Sequence, residues 1–393
     1  MTPAVARPLA AVLSFVLLFA TAANPAAAAG PDSANEEPSA DLGPNELAAR
    51  PLAEALIDAV EAGVTTTPQD APQIAAKPST SPSKGSSGTA AAGAAEAASV
   101  NALTFSFRAD PFGIRALNVE DRPLFSETKI SLSDTGVHDA SGVRMYLLNG
   151  VMYDHPVAQA QYALQLLNNY RMNGNPDYLA RAELQAHRLI DRRVVSRNAW
   201  YYPYPFNADS GANLLVAPWY SAMAQGLALA VFVWLSEMKG DAIYAEAATM
   251  TFNSFTNNRV SSGPWTVWVD GGGYLWLEEY PRAIPDQTIN GSLFASFGLY
   301  EYFRWSGEPA AKKLMQGAYT TLRHYLPVIS TGWISYYCLS HRGRNAFYHL
   351  VVTSQLNKIY AITAHTDFAD WTERFQDEFP DYRVGGNVRF EPG

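Results

Sequence analysis

Disulfides, metal knuckles and nucleotide loops are all missing from this chain. Its one cysteine, Cys338, cannot close an intrachain disulfide. No CxxC, HExxH or paired-cysteine spacing supports a structural metal. No GxGxxG or Walker loop points to a nucleotide, and no Asp-rich loop suits Ca²⁺, so the expectation is a protein with no cofactor and no metal. After the first 29 residues, no stretch of the roughly 20 apolar residues that a bilayer-crossing helix needs is free of charge. No membrane span is therefore expected in the mature chain. Charge is scarce too: 17% of the 393 residues are charged and 48% hydrophobic, which excludes wholesale disorder and leaves buried apolar area as the source of stability.

What is present is unevenly distributed. Arg7 precedes an apolar run from Leu9 to Ala23, and small residues at Ala26 to Ala29 offer a cleavage site. Residues 1–29 thus read as an export signal, and the expected location is secreted and extracellular with that signal removed. Residues 30–100 are rich in Ala, Ser, Pro, Thr and Gly, and read as a disordered linker unable to offset its own ordering entropy. The linker holds ten acidic and three basic residues, whereas residues 101–393 hold 27 and 24. Most of the formal −9 therefore sits on the tail. No basic stripe suggests nucleic acid as a partner, and an anionic ligand is compatible with the near-neutral remainder.

Residues 101–150 read as a small β region, because Leu103, Phe105 and Phe107 alternate, as do Ile130 and Leu132. Downstream the period turns helical. Four pairs are predicted: 155–171 with 175–194, 219–239 with 240–257, 286–305 with 308–325, and 346–362 with 366–378. The predicted fold is mainly α, a partial (α/α) barrel or toroid of about four helix pairs over 151–393, preceded by the small β region. Aromatic content is high, with 21 Tyr and 9 Trp. Much of it lies in the loops between the pairs, which in a toroid gather at one end and shape a cleft suited to sugar rings.

Three constellations could carry chemistry. Gly271-Gly-Gly-Tyr-Leu-Trp-Leu-Glu-Glu-Tyr-Pro281, followed by Asn290-Gly291, puts two carboxylates and a tyrosine on one Gly/Pro-punctuated loop; its bland alternative is a solvated surface turn. Trp333-Ile-Ser-Tyr-Tyr-Cys-Leu-Ser-His341, with Arg342, Arg344, Tyr348 and His349, leads hydroxyls, imidazoles and guanidiniums onto a helix start. Each of these alone is as well explained as a satisfied polar group. Ser196 to Phe206 and Ala217 to Gly226 hold aromatics extended between prolines, which nominates Tyr202 and Trp219 as cleft residues, against packing of the loop on the helices.

At these residues the sequence resembles the D-glucuronyl C5-epimerases, which convert D-glucuronate to L-iduronate within heparosan or heparan-type polysaccharides. The matching stretches are Ser196–Phe206, Ala217–Gly226, Trp276–Pro281 with Asn290-Gly291, Gly298–Tyr300, and Tyr348-His349 with Gln355-Leu356. The resemblance implies an α/α-barrel catalytic region, catalysis by Glu279, Tyr280 and Tyr348, and uronate contacts from Asn290 and Tyr337. It also implies an anionic uronate-containing polysaccharide as partner and allows a homodimer. One departure stands out. The family commonly reads Tyr-Asp-Leu-Arg-His where this chain has Tyr337-Cys-Leu-Ser-His341, so a substrate-binding arginine is replaced by Ser340. Arg342, Arg344 or Arg282 are the candidates to supply that charge instead, and His341 the candidate to supply a hydrogen bond.

Inverting C5 of a uronate needs an acid and a base on opposite faces of the ring and donors that neutralise its carboxylate. Two tyrosines suffice, which assigns Tyr280, with Glu279, to one face and Tyr348 to the other. A polysaccharide lyase starts with the same proton removal and remains an alternative, as does a binding protein that has lost turnover. A glycosidase would require a second carboxylate across the sugar from the Glu278/Glu279 pair, with Asp270 or Asp286 the nearby candidates.

Overall fold

The computed structural model describes residues 103–134, 136–209 and 214–379. The predicted export signal and linker lie outside the described residues. Among the described residues, eight α-helices form four hairpins: α1 (Pro156–Asn173) with α2 (Pro176–Arg192), α3 (Ala222–Lys239) with α4 (Ala242–Phe252), α5 (Ile289–Ser306) with α6 (Pro309–Ile329), and α7 (Ala346–Thr363) with α8 (Thr366–Glu378). All four predicted pairs are present. Each hairpin reverses at a residue in the left-handed region, Gly174, Gly240, Gly307 or Ala364, and three of these four are glycines, for which that conformation costs least.

The first helix of each pair lies inside. α1, α3, α5 and α7 pack side by side in that order, and each carries its partner on the outside; no comparable packing joins α7 back to α1 among the described residues. The result is a partial α/α barrel. The division into inner and outer helices follows from the side chains. α3 is buried continuously from Ala222 to Leu235 and α5 from Ile289 to Phe303, whereas α2 buries only Ala182, Gln185, Ala186, Leu189 and Ile190, one face at helical spacing. Each large apolar side chain buried this fully contributes about 1.5–3 kcal/mol. α3 and α5 approach almost backbone to backbone: a Cβ on Gly226 would fall 2.4 Å from Ala295 Cα, and one on Gly298 2.0 Å from Gly226 O. No larger residue fits at that crossing.

The β region expected over 101–150 is reduced to its last part, where Met145–Leu148 pairs with Val151–Asp154. No strand forms over 103–142, although the alternating residues there do pack on the core. This segment is a strap whose backbone bonds are spent on the barrel. Arg108 N donates to Gly273 O (2.8 Å) and Arg115 N to Ile362 O (2.9 Å). Leu117 N donates to Tyr300 Oη (2.9 Å), and Asn168 Nδ2 donates to Leu124 O (3.1 Å). The strap thereby links the C-terminal part of α7 to that of α1 across the seam the helices leave open. Alternation served packing of single side chains, such as Phe107 against Gly317, without a partner strand to complete a ladder. Four short antiparallel hairpins follow: β1 (Met145–Leu148) with β2 (Val151–Asp154), β3 (Val194–Ser196) with β4 (Ala199–Tyr201), β5 (Ala208–Asp209) with β6 (Leu214–Leu215), and β7 (Val267–Val269) with β8 (Leu275–Leu277). Among the described residues no helix is long and apolar enough to cross a membrane.

Candidate active site

The hairpins and the loops leading into the inner helices meet at one end of the barrel, which is the end where the inner helices begin. A line of rings marks this mouth. His155, the N-cap of α1, sits 5.0 Å from Tyr204; Tyr204 stacks on Trp219 at 3.7 Å and 9°; Trp219 lies 6.1 Å from Tyr280. Backbone bonds tie the same loops together: Ala222 N in α3 donates to Glu278 O (2.8 Å), and Ile289 N in α5 donates to Tyr337 O (3.2 Å). Parallel inner helices thus direct their N-terminal ends, with their partial positive charge, at one cleft.

Glu279 lies against Gly291 at the start of α5, where Asn290 is the preceding residue. Glu279 and Asn290 are both buried, and a Cβ on Gly291 would fall 1.9 Å from Glu279 Oε2. The Asn-Gly pair is therefore explained at the glycine: only hydrogen leaves room for the carboxylate against the first turn of α5. Asn290 is fully buried, yet neither atom of its carboxamide has a protein partner. Its backbone oxygen is held by Gln355 Nε2 (3.1 Å), which locks α5 to α7. The Tyr337 hydroxyl likewise has no protein partner, and its ring lies 5.3 Å edge-on to Tyr348. Tyr348 is positioned by the α7 N-cap, where Asn345 Oδ1 accepts from Tyr348 N (3.1 Å). Buried polar groups without partners cost stability and mark a site that a polar ligand or water completes.

Glu278 is a different kind of carboxyl. Its oxygens accept from Tyr280 N, Trp268 Nε1 and Gln287 N, each at 3.2 Å. Burial, and then the neighbouring Asp286, push its pKa up to about 8, so it is protonated at neutral pH. Asp286 is itself raised by burial and lowered by Arg282, whose Nε is 3.2 Å from Asp286 Oδ1. Asp270 accepts from Trp276 Nε1 (3.1 Å) and Tyr325 OH (2.7 Å), and serves the β7–β8 turn.

The sequence-derived candidates divide accordingly. Glu279, Tyr280, Asn290, Tyr337, Tyr348 and Trp219 lie at the mouth. Tyr202 does not: it is buried in the core, its hydroxyl 2.5 Å from Thr251 Oγ1 and its ring packed on Phe232, and its backbone N donates to Gln225 Oε1 of α3 (3.0 Å). Arg342 and Arg344 lie over the rings of Tyr336 and Trp333 at 5.9 and 5.7 Å, so they serve the loop before α7. His341 is exposed, 3.5 Å from Cys338 Sγ, and Ser340 Oγ donates to Pro285 O (2.6 Å). His349 is structural, bonded to Ser335 and Phe375 O. Arg282, one of the three candidates to supply the missing charge, is buried and paired with Asp286, whereas Gln355 had been given no role of its own. Gln355 has no local motif, since its role depends on a neighbouring helix. Among the described residues no cluster of three or more His, Cys, Asp or Glu is arranged to hold a metal.

A family model, D-glucuronyl C5-epimerase C-terminus, matches residues 195–377. The D-glucuronyl C5-epimerase of Caenorhabditis elegans is 26% identical over 157 residues, 37% of this chain and 25% of that protein. An uncharacterized protein of Methanocaldococcus jannaschii is 24% identical over 166 residues, 41% of this chain and 52% of that one. The chain thus spans about half the length of one curated relative and a quarter of the other. Among solved structures, cellobiose 2-epimerase from Spirochaeta thermophila aligns with TM-score 0.43 at 14% identity, covering 61% of this chain and 63% of that one. Residues 195–377, which carry three of the four helix pairs and the mouth residues Glu279, Asn290 and Tyr348, match the D-glucuronyl C5-epimerase C-terminus family.

Proposed function

We propose that the protein is a secreted uronate C5-epimerase that converts D-glucuronate to L-iduronate in a heparosan-like polysaccharide. The observation that carries this reading is the buried group at the starts of α5 and α7. There Asn290 and the Tyr337 hydroxyl have no protein partner, beside Glu279 and Tyr348. Such a set suits a bound ring bearing several hydroxyls and a carboxylate.

In the first step one tyrosine, as phenolate, takes the C5 proton. The C5–H bonding pair passes into an enolate shared with the carboxylate, and the other tyrosine then returns its proton to C5 from the opposite face. No electrons are gained or lost overall. We assign Tyr280, with Glu279 beside it, to one face and Tyr348 to the other. The carboxylate gains charge during the reaction, and the converging N-terminal ends of the inner helices, with Asn290 and Tyr337 as donors, stabilise it.

Heparosan and glucuronan incubated with the protein in D₂O test the reading. Deuterium should enter at C5 without the ultraviolet absorbance of an unsaturated uronate, and Tyr348→Phe should abolish the label. Absorbance with chain cleavage would make the protein a lyase. Binding without label would make it a polysaccharide-binding protein.

A further inference from the structure

Proton transfer between Tyr280 and Tyr348 makes no direct use of Glu278, yet this buried acid stands two residues before Tyr280, and four segments converge on it. Its main chain is spent on the frame. Glu278 N donates to Thr266 O (2.7 Å) beside β7, and Glu278 O accepts from Ala222 N (2.8 Å) at the first residue of α3. Its carboxyl reaches further. Oε1 accepts from Tyr280 N, and Oε2 accepts from Gln287 N and from Trp268 Nε1, each at 3.2 Å. The side chain thus bridges the backbone of Tyr280 to the turn that leads into α5.

That turn is held in a costly shape. Gln287 has φ 55°, in the left-handed region, which a non-glycine residue keeps only where its surroundings over-determine it. Its N–H is taken by Glu278, and its carbonyl accepts from Leu339 N (3.4 Å). On either side, Ser340 N donates to Asp286 O (3.3 Å), Thr288 pairs with Cys338, and Ile289 N donates to Tyr337 O (3.2 Å). Residues 286–289 therefore run antiparallel to 337–340. Through these backbone bonds the Glu278 carboxyl connects the Tyr280 loop, the Asn290 end of α5 and the Tyr337 loop. A carboxyl suits this place because each oxygen accepts separately. Burial pushes its pKa up to about 8, so at neutral pH it brings no charge to a site read as binding an anion.

We propose that Glu278 is a positioning residue, whose carboxyl clamps the main chain of Tyr280 to the turn before α5 and so fixes the Tyr280 ring relative to Asn290 and Tyr337. The proposal rests on the reading of Tyr280 as one of the two proton-transfer groups.

Glu278→Gln tests it, because the amide keeps the length and shape of the side chain but has one acceptor oxygen, so one arm of the clamp is lost whichever way it turns. With heparosan in D₂O, kcat for C5 exchange should fall about tenfold or more while KM stays within about twofold of wild type. A wild-type kcat, or a loss confined to KM, overturns the proposal. Arg122→Ala is the control, since it breaks the ion pair with Glu301 (3.1 Å) at the other end of α5. It should keep the wild-type kcat per folded molecule; a loss equal to that of Glu278→Gln would make the effect one of stability and overturn the proposal. Labelling with 3-fluorotyrosine, with the Tyr280 and Tyr348 signals assigned from their Phe variants, gives a readout that needs no turnover. In Glu278→Gln the Tyr280 fluorine signal should broaden or split while that of Tyr348 keeps its width, and a Tyr280 signal as narrow as in wild type overturns the proposal. A wild type that exchanges no C5 proton, with the Tyr280 signal broadened in the variant, sinks the epimerase reading and leaves the positioning role standing.

Discussion

The two ends of the barrel differ in how their buried polar groups are partnered. Toward the C-terminal ends of the inner helices, Glu301 lies about 16 Å along α5 from Asn290. Its Oε2 accepts from Arg122 Nη1 (3.1 Å) and Trp234 Nε1 (2.9 Å), while Arg171 caps Trp234 at 4.0 Å and pairs with Glu237. Cations gather there, where the helix dipoles end negative. At the mouth, Asn290 and the Tyr337 hydroxyl are buried or half-buried and meet no protein partner. One helix, α5, spans both arrangements. At the base Glu301 holds the strap to the barrel through Oε2, although its Oε1 and Arg122 Nε meet no hydrogen-bond partner, whereas at the mouth the whole Asn290 carboxamide and the Tyr337 hydroxyl lack one.

Variants at the two ends should therefore separate activity from stability. Tyr348→Phe should lower C5 exchange by about 100-fold or more, the scale of a lost general acid or base, while the thermal midpoint stays near wild type; an active variant would break the assignment. Arg122→Ala should leave Glu301 buried without its counter-ion and cost about 3–5 kcal/mol in denaturant unfolding. Exchange per folded molecule should be unchanged, and a selective activity loss would show that the base contributes to the site.

Gly291→Ala should drive a methyl into the Glu279 carboxylate and reduce exchange by about tenfold or more. Asn290→Ala should also reduce exchange, yet leave the thermal midpoint unchanged or raised, because a buried carboxamide with no protein partner is removed. A large drop in midpoint would mean that Asn290 holds the fold.

The last comparison concerns pH. Glu278 has an ordinary value of 4.5, raised by burial to about 8. Between those values the folded state keeps a proton the unfolded chain has released, so stability falls as pH rises, by at most about 1.4 kcal/mol per pH unit from this group. Asp286, Arg282 and His341 lie close by, and Asp286 is raised in the same sense. Thermal midpoints from pH 5 to 8 should decline in the wild type and flatten in Glu278→Gln, whose amide oxygen can still accept from Trp268 and Gln287. An identical slope in both would place the titration elsewhere.

The helices and half of the site were readable locally. Pro156, Pro176 and Pro309 open helices and Gly174, Gly240 and Gly307 close them, signals that act within a turn or two of chain. The Glu-Glu-Tyr-Pro loop and Asn290-Gly291 stood out because chemistry-bearing residues fell between chain breakers. The strap did not, since alternation describes a side chain that faces a surface and leaves open whether that surface is a sheet or a row of helices. Tyr202 and Tyr204 show the same limit: two residues apart in one aromatic run, one goes to the core against Thr251 and the other to the mouth against Trp219.

By itself, then, the order of residues determined the four hairpins and which residues are able to carry proton transfer, because propensity, capping and side-chain chemistry act over short stretches. Only the tertiary structure decided that Glu278 is a protonated structural acid while its neighbour Glu279 lies against Gly291, that Arg282 is buried beside Asp286 while Arg342 and Arg344 lie over Tyr336 and Trp333, and that the strap spans the seam. Those outcomes depend on burial and on partners far away in the chain, and desolvation acts only where packing removes water.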